Sequence, residues 1–144
     1  PEMAVTTDII VGFPSETTEE FEETGKVMEE IRFDNSFIFK YSPRPGTPAE
    51  KMEDDVPADE KMRRNKDLLA LQDRLGKEIN SGLVGKRLQV LVEGESLRNP
   101  ARWSGRTRTN KITVFGKSPG MKIGDVIEVQ IERSMAQTLY GKVI

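Results

Sequence analysis

The sequence of 144 residues predicts two structural units, an α/β segment followed by a small all-β barrel. Two observations carry this prediction. In the first half, apolar residues form one unbroken run at 9–11 and then recur at the spacing of three and four residues that is typical of helices. After Gly85 they alternate with polar residues at a period of two, which is typical of strands. The change of period divides the chain into residues 1–56, a linking helix at 57–83, and residues 84–144.

A strand and a helix are predicted at the start of the chain. Residues 9–11 are all apolar, which favours a strand buried on both faces, as in a parallel sheet. Gly12 and Pro14 end this strand. Thr17 and Glu20 have the spacing of a capping box, so the helix is expected to begin one residue after Thr17.

The helix is expected to point an apolar stripe at the core, formed by Phe21, Thr24, Met28 and Ile31. A second apolar strand follows at residues 36–41. Because a strand-helix-strand crossover is right-handed, the two strands are expected to be parallel, and ligands of such sheets gather at the carboxyl ends of the strands. These ends are residues 12–14 and the proline-rich loop at 42–47. Arg44 on that loop would meet a carboxylate or phosphate, or alternatively would be solvated or paired with an acid.

Composition excludes several kinds of chemistry. The chain contains no cysteine and no histidine, which excludes disulfides, thiolate metal sites, a cysteine nucleophile and a histidine base. No apolar run approaches the length of a membrane span and no signal peptide is visible, so the expected location is the cytoplasm.

Charge is distributed unevenly along the chain. Residues 1–60 carry 5 basic and 16 acidic side chains, whereas residues 84–144 carry 11 basic and 5 acidic ones. Such an asymmetry suggests a nucleic-acid surface in the basic half, although an ordinary solvated face accounts for a surplus of this size as well.

A longer helix is expected between the two units, with an apolar stripe at Leu68, Leu71, Leu75 and Ile79. It also carries a basic cluster at Lys61, Arg63, Arg64 and Lys66. An exposed polar face is the expected role of this cluster, with contact to RNA as the alternative.

About five short strands are predicted after Gly85, in an antiparallel barrel like the OB-fold. The informative segment within it is 98–111, which holds five basic residues and no acidic one. Arg106 and Arg108 would share one face of a strand and would suit phosphate oxygens. Trp103 offers a surface on which a base stacks, and Asn110 reads a base edge or bonds the backbone. The alternative is that Trp103 belongs to the barrel core and the arginines are only solvated.

Two sets of motifs resemble known families. The segments at 8–17 and 39–49 resemble the last strands of the barrel in radical S-adenosylmethionine methylthiotransferases. The segments at 90–94, 105–107, 114–116 and 139–143, together with Asn110, resemble a TRAM domain. The order of the two sets is also that of the family, so the resemblance identifies the chain as a C-terminal part of such an enzyme.

The resemblance implies a cofactor site. Family enzymes use S-adenosylmethionine and two four-iron four-sulfur clusters that are held by cysteines, and this chain has none, so it is expected to be inactive alone, with no catalytic or metal-binding residue of its own. Gly12, Phe13 and Pro14 would lie near the adenosine of S-adenosylmethionine, and Arg44 would face cofactor or substrate. Ser15 departs from the family, which commonly has glycine there.

The resemblance also implies a partner, the anticodon arm of tRNA, with a methylthio group added to a modified adenosine beside the anticodon. The residues expected to face the RNA are Arg98, Arg102, Trp103, Arg106, Thr107, Arg108, Asn110 and Lys111. No DNA or membrane partner is expected, and the full-length enzyme is expected to be a monomer. The alternatives are a related enzyme acting on threonylcarbamoyladenosine or on a ribosomal protein, and a stand-alone RNA-binding module.

Overall fold

The computed structural model describes residues 3–144, which divide into two compact units: residues 5–75 form one, and residues 76–144 together with residues 3–4 form the other. The first unit contains β1 (Thr6–Val11), α1 (Thr18–Ile31), β2 (Asn35–Lys40), a 3₁₀ turn (Pro48–Lys51) and most of α2 (Ala58–Ser81). The second contains the end of α2 and five strands: β3 (Arg87–Ser96), β4 (Asn99–Thr107), β5 (Ile112–Gly116), β6 (Val126–Ser134) and β7 (Thr138–Val143). The long helix predicted at residues 57–83 is present as α2, and most of it belongs to the first unit.

The first unit has the predicted strand-helix-strand order. β1 and β2 are parallel over their whole length, from the pair Thr6 and Asn35 to the pair Val11 and Lys40. The capping box at the start of α1 is complete, because the Thr17 side chain accepts from the Glu20 amide and the Glu20 side chain accepts from the Thr17 amide. The parallel pairing and the start of α1 are confirmed.

One face of the β1–β2 sheet packs on the two helices. Its core consists of Val11, Phe21, Met28, Phe33, Leu68 and Leu75. On the opposite face, Ile10, Phe37 and Phe39 are each about half exposed. The prediction that β1 is buried on both faces is therefore wrong for the described residues, since only one face has helices against it. Ile31 is also exposed, because it lies in the last turn of α1.

The second unit is a closed barrel in which the strands follow the order β3-β4-β5-β7-β6. Four of the five neighbouring pairs are antiparallel, and β5 and β7 are parallel. The prediction of a fully antiparallel barrel is wrong in this respect. A closed ring of five strands cannot alternate in direction all the way round, because five is odd, so at least one pair has to be parallel.

The barrel core is formed by side chains that alternate along the strands, namely Val90, Val92, Phe115, Val129, Ile131 and Leu139. Two glycines let neighbouring strands approach closely. A Cβ atom at Gly105 would lie 2.0 Å from the Leu91 carbonyl oxygen, and one at Gly141 would lie 2.2 Å from the Gln130 carbonyl oxygen. The same alternation points residues of β4, β6 and β7 outward, where they form part of the outer surface of the barrel. On β5, three consecutive residues, Thr113, Val114 and Phe115, are all buried.

Candidate nucleic-acid interface and cofactor loop

The basic segment predicted to face RNA begins in the β3–β4 turn and runs through β4 into the next turn. Arg98 lies in the first turn and is exposed, and Arg102 is exposed on the strand. Arg106, near the end of β4, lies 3.4 Å from the Glu93 carboxylate and is partly exposed. The structure thus places Arg98 and Arg106 at opposite ends of β4, so the segment forms a line along the barrel.

The turn between β4 and β5 brings together five of the predicted RNA-binding residues, Arg106, Thr107, Arg108, Asn110 and Lys111. Thr107 is buried, and its hydroxyl lies 3.1 Å from that of Thr109 and accepts from the Lys111 amide at 3.0 Å. Asn110 adopts a left-handed conformation with φ of 61°. These bonds make the turn rigid and hold its exposed side chains in place.

The predicted shared strand face for Arg106 and Arg108 is wrong, because β4 ends at Thr107 and Arg108 lies in the turn. Arg106 instead donates to Asn110, to its carbonyl oxygen at 3.3 Å and its side-chain oxygen at 3.1 Å. Arg108 is exposed and makes no ion pair with any residue in the range 3–144. Arg108 therefore remains available to a phosphate, whereas Arg106 is oriented by its own turn.

Trp103 lies on the inner side of β4. It packs against the hydrophobic core of the barrel and is half-buried. Its Nε1 atom is buried and has no hydrogen-bond partner among the described residues. This position agrees with the alternative interpretation of Trp103 as a core residue, and most of its ring is directed away from the outer surface.

An aromatic side chain on the outer surface was missed by the sequence analysis. The Arg133 guanidinium lies 3.9 Å from the centroid of the Tyr140 ring, on the neighbouring strands β6 and β7. Both residues lie far from segment 98–111 in the sequence. The sequence 139–141 does indicate an outward Tyr140, because side chains alternate along a strand and Leu139 is buried.

The loop after β1 holds the first three predicted cofactor residues. Gly12 is buried with φ of +67°, and its amide donates to the Glu16 carboxylate at 2.6 Å. Pro14 is buried as well, whereas Phe13 is 40% exposed and contacts the Tyr41 ring edge-on, with centroids 5.2 Å apart. Phe13 is thus the exposed one among these three residues.

Arg44, the fourth predicted cofactor residue, is exposed in the loop after β2. The loop is held by Thr47, whose amide and hydroxyl both donate to the Arg44 carbonyl oxygen at 3.2 and 2.8 Å. The Tyr41 hydroxyl donates to the Ala49 carbonyl oxygen at 2.9 Å. The contact between Phe13 and Tyr41 joins the two loops, and Arg44 lies three residues beyond it.

Two basic residues of α2 pack against the loop after β1, which contains Gly12 and Glu16. Arg64 is buried and donates to the Glu16 carboxylate at 2.6 Å and to its carbonyl oxygen at 2.9 Å. Lys61 is buried and forms an ion pair with Asp54, and its side chain fills the space where a Cβ atom at Gly12 would lie. The expectation of an exposed basic face is therefore wrong for Lys61 and Arg64.

Glu60 completes this ionic cluster. Hydrogen bonds from Arg63 and then Arg64 lower the pKa of Glu60 from 4.5 to about 2. Burial alone would lower the pKa of Arg64, but its hydrogen bonds with Glu60 and Glu16 raise it above its ordinary value. Arg64 thus stays charged between two carboxylates, as a buried guanidinium requires.

The described residues offer no cluster of three or more carboxylate, histidine or cysteine side chains that would hold a metal ion. Over the same residues, neither α-helix has a stretch that is long and apolar enough to cross a bilayer.

Comparison with known proteins identifies the barrel and extends to the whole chain. Residues 83–144 match the TRAM domain family. Over 144 aligned residues, the chain is 46% identical to a protein of Acetivibrio thermocellus named tRNA-2-methylthio-N(6)-dimethylallyladenosine synthase. This match covers 100% of the chain and 30% of that protein. A protein with the same name from Akkermansia muciniphila is 47% identical over 98% of the chain. Another from Porphyromonas gingivalis is 44% identical over 100% of the chain. Each of these two matches covers 31% of the relative.

These similarities confirm the resemblance that was predicted from the motifs. They extend through both units, so these relatives match the front unit as well as the barrel. The chain spans about a third of the length of the curated relatives that it matches.

Proposed function

We propose that this chain is the C-terminal portion of a radical S-adenosylmethionine tRNA methylthiotransferase, which adds a methylthio group to dimethylallyl-modified adenosine beside the anticodon. The observation that carries the proposal is the similarity of the whole chain, at 44–47% identity, to relatives with that printed name. The same names favour this substrate over threonylcarbamoyladenosine or a ribosomal protein. The enzyme would work in the cytoplasm as a monomer.

In this proposal the TRAM domain, residues 84–144, binds the anticodon arm. The exposed positions of Arg98, Arg102 and Arg108 support it, because none of the three makes an ion pair with a described residue. Arginine forks suit phosphate oxygens, and phosphate contacts position an RNA without specifying its sequence. The domain would hold the tRNA while the chemistry takes place elsewhere in the enzyme.

Residues 1–56 would form the end of a parallel barrel in the longer enzyme, with residues 57–83 as the helix that leads to the TRAM domain. The exposed face of the β1–β2 sheet supports this, because Ile10, Phe37 and Phe39 would be covered by further strands. The carboxyl ends of β1 and β2 would then face the substrate side, where Phe13 and Arg44 are exposed.

This chain does not provide a complete binding site for the cofactors of such an enzyme. The sequence has no cysteine, so it provides no thiolate ligand for an iron-sulfur cluster. At the proposed S-adenosylmethionine loop, the Gly12 amide is already bonded to Glu16, and the space over its Cα atom is filled by Lys61. The loop would contribute the ring of Phe13 to a site that other parts of the enzyme complete.

The proposal is tested by measuring the binding of the 144-residue chain to an anticodon stem-loop RNA at increasing salt. We expect log K to fall linearly with the logarithm of salt concentration, and the Arg108→Gln variant to reduce the slope by about 1, because one phosphate contact is lost. A DNA hairpin of the same sequence should bind more weakly. Binding that does not change with salt, or that is equal for RNA and DNA, would contradict the assignment.

A second arm tests the substrate. Nucleosides are analysed by mass spectrometry in tRNA from cells that lack their own methylthiotransferase and express the longer protein. We expect the methylthio group on dimethylallyladenosine. Its appearance on threonylcarbamoyladenosine would instead support the related enzyme.

A further inference from the structure

The outer surface of the barrel carries one aromatic residue beside the basic line of β4, and it is Tyr140. Along β7, Leu139 is fully buried in the core and Tyr140 follows it on the opposite face. Tyr140 pairs with Val114 of β5 on one side and with Arg133 of β6 on the other. Val114 in turn pairs with Ser104 of β4. A single cross-strand row thus runs from the basic strand to the Arg133–Tyr140 pair.

Arg133 is held against the Tyr140 ring. Its guanidinium carbon lies 3.9 Å from the ring centroid, a distance at which the cation is attracted by the π-electrons of the ring. The bulge between Ile131 and Arg133 brings this arginine opposite Tyr140 in the register. Arg133 remains exposed. An exposed guanidinium that is already ordered by a ring loses little conformational freedom when a further flat group stacks on it.

A further basic residue lies beside the row on β7. Lys142, two residues after Tyr140, is exposed and pairs with Gln130. Two residues along a strand correspond to about 7 Å, so the Lys142 side chain lies next to Tyr140 on the same face of the strand. The acids near this surface are Glu132, in the bulge beside Arg133, and Glu93, which is paired with Arg106.

We propose that Arg133 and Tyr140 form a stacking platform for an unpaired RNA base, with Lys142 placed for a flanking phosphate. The proposal deepens the proposed function and rests on it. Sequence-specific proteins take unpaired RNA bases onto aromatic rings and onto arginine guanidinium planes, and a loop at the end of an RNA stem offers such bases. The platform occupies the role for which Trp103 was predicted, since Trp103 packs against the core.

The test replaces the guanidinium plane while keeping its charge. In Arg133→Lys the positive charge remains and the stacking surface is lost, so the affinity for an anticodon stem-loop RNA should fall about ten-fold, with the slope against salt unchanged. Arg87→Lys, the same substitution at an exposed barrel arginine outside the platform, should bind within about two-fold of the wild type. Tyr140→Leu keeps an apolar side chain at the position and should weaken binding to a similar degree.

A second readout is independent of affinity. In an RNA that carries 2-aminopurine in its loop, stacking on the platform should quench the fluorescence on binding, and Arg133→Lys should lose this quenching. Circular dichroism and the fluorescence of Trp103 verify that each variant is folded. If Arg133→Lys binds and quenches like the wild type, the platform is wrong while RNA binding by the domain stands. If the wild-type chain shows no salt-dependent RNA binding, the proposed function is wrong and the platform falls with it.

Discussion

One cluster of basic side chains in each unit shows a contrast in burial and pairing. In the front unit, Lys61 and Arg64 are buried and paired with carboxylates of the same unit. In the barrel, Arg102 and Arg108 are exposed and have no ion pair with a described residue. Counting basic residues does not separate the two cases, because both clusters are dense in the sequence. What separates them is the supply of acid nearby: residues 1–60 are rich in carboxylates, and segment 98–111 has none.

The difference teaches which basic residues are structural. A buried cation has lost its hydration and depends on its partners, so its removal leaves carboxylates buried without a counter-charge. An exposed cation on a turn is hydrated when no ligand is bound, so its removal costs the fold little stability. Substitutions in the front unit should therefore change stability, and those in the barrel should change binding.

Removing the charge of Arg64 is expected to have the largest effect. In Arg64→Met the Glu16 carboxylate loses its buried partner, and the free energy of unfolding should fall by about 3–5 kcal/mol. Urea unfolding followed by circular dichroism at 222 nm measures this, since both helices contribute to that signal. The matched control is Arg108→Met in the barrel, which should stay within about 0.5 kcal/mol of the wild type. Equal losses for the two variants would contradict the contrast between the units.

A smaller effect is expected at Ser15, in the loop that Arg64 holds. Ser15 has φ of 67°, a left-handed conformation that costs a residue with a side chain about 1–2 kcal/mol. Its amide donates to Asp55 at 2.7 Å, a bond that glycine would keep. Ser15→Gly should thus stabilise the chain, by about 1 kcal/mol after allowance for the greater freedom of glycine in the unfolded state. Ser15→Ala, which keeps the strain, should bring no gain; if alanine stabilises as much as glycine, strain is not the cause.

The sequence predicted the features that depend on neighbouring residues. The capping box of α1, the parallel pair and the presence of five barrel strands all follow from local patterns, and all are present. The pairing of Arg64 with Glu16 could not be predicted in this way, because Glu16 lies 48 positions away and its approach depends on how α2 packs. The site shows a related limit. The chemistry of Trp103 suggested a stacking residue, but Trp103 packs against the core, and Tyr140 faces outward because Leu139 beside it is buried.

The smallest expected effect concerns acid stability, through Glu60. Its pKa is lowered from 4.5 to about 2 by Arg63 and Arg64, so its charged form is favoured in the folded chain. The resulting stabilisation is complete above pH 4.5 and is lost as the pH falls towards 2. In Glu60→Gln the midpoint of thermal unfolding should be lower than in the wild type at neutral pH, and the two should converge in acid. In Glu30→Gln, a substitution at an exposed position of α1, the midpoint of thermal unfolding should change with pH in the same way as in the wild type. A gap for Glu60→Gln that stays constant down to pH 2 would mean that Glu60 stabilises the unit by packing and not by its charge.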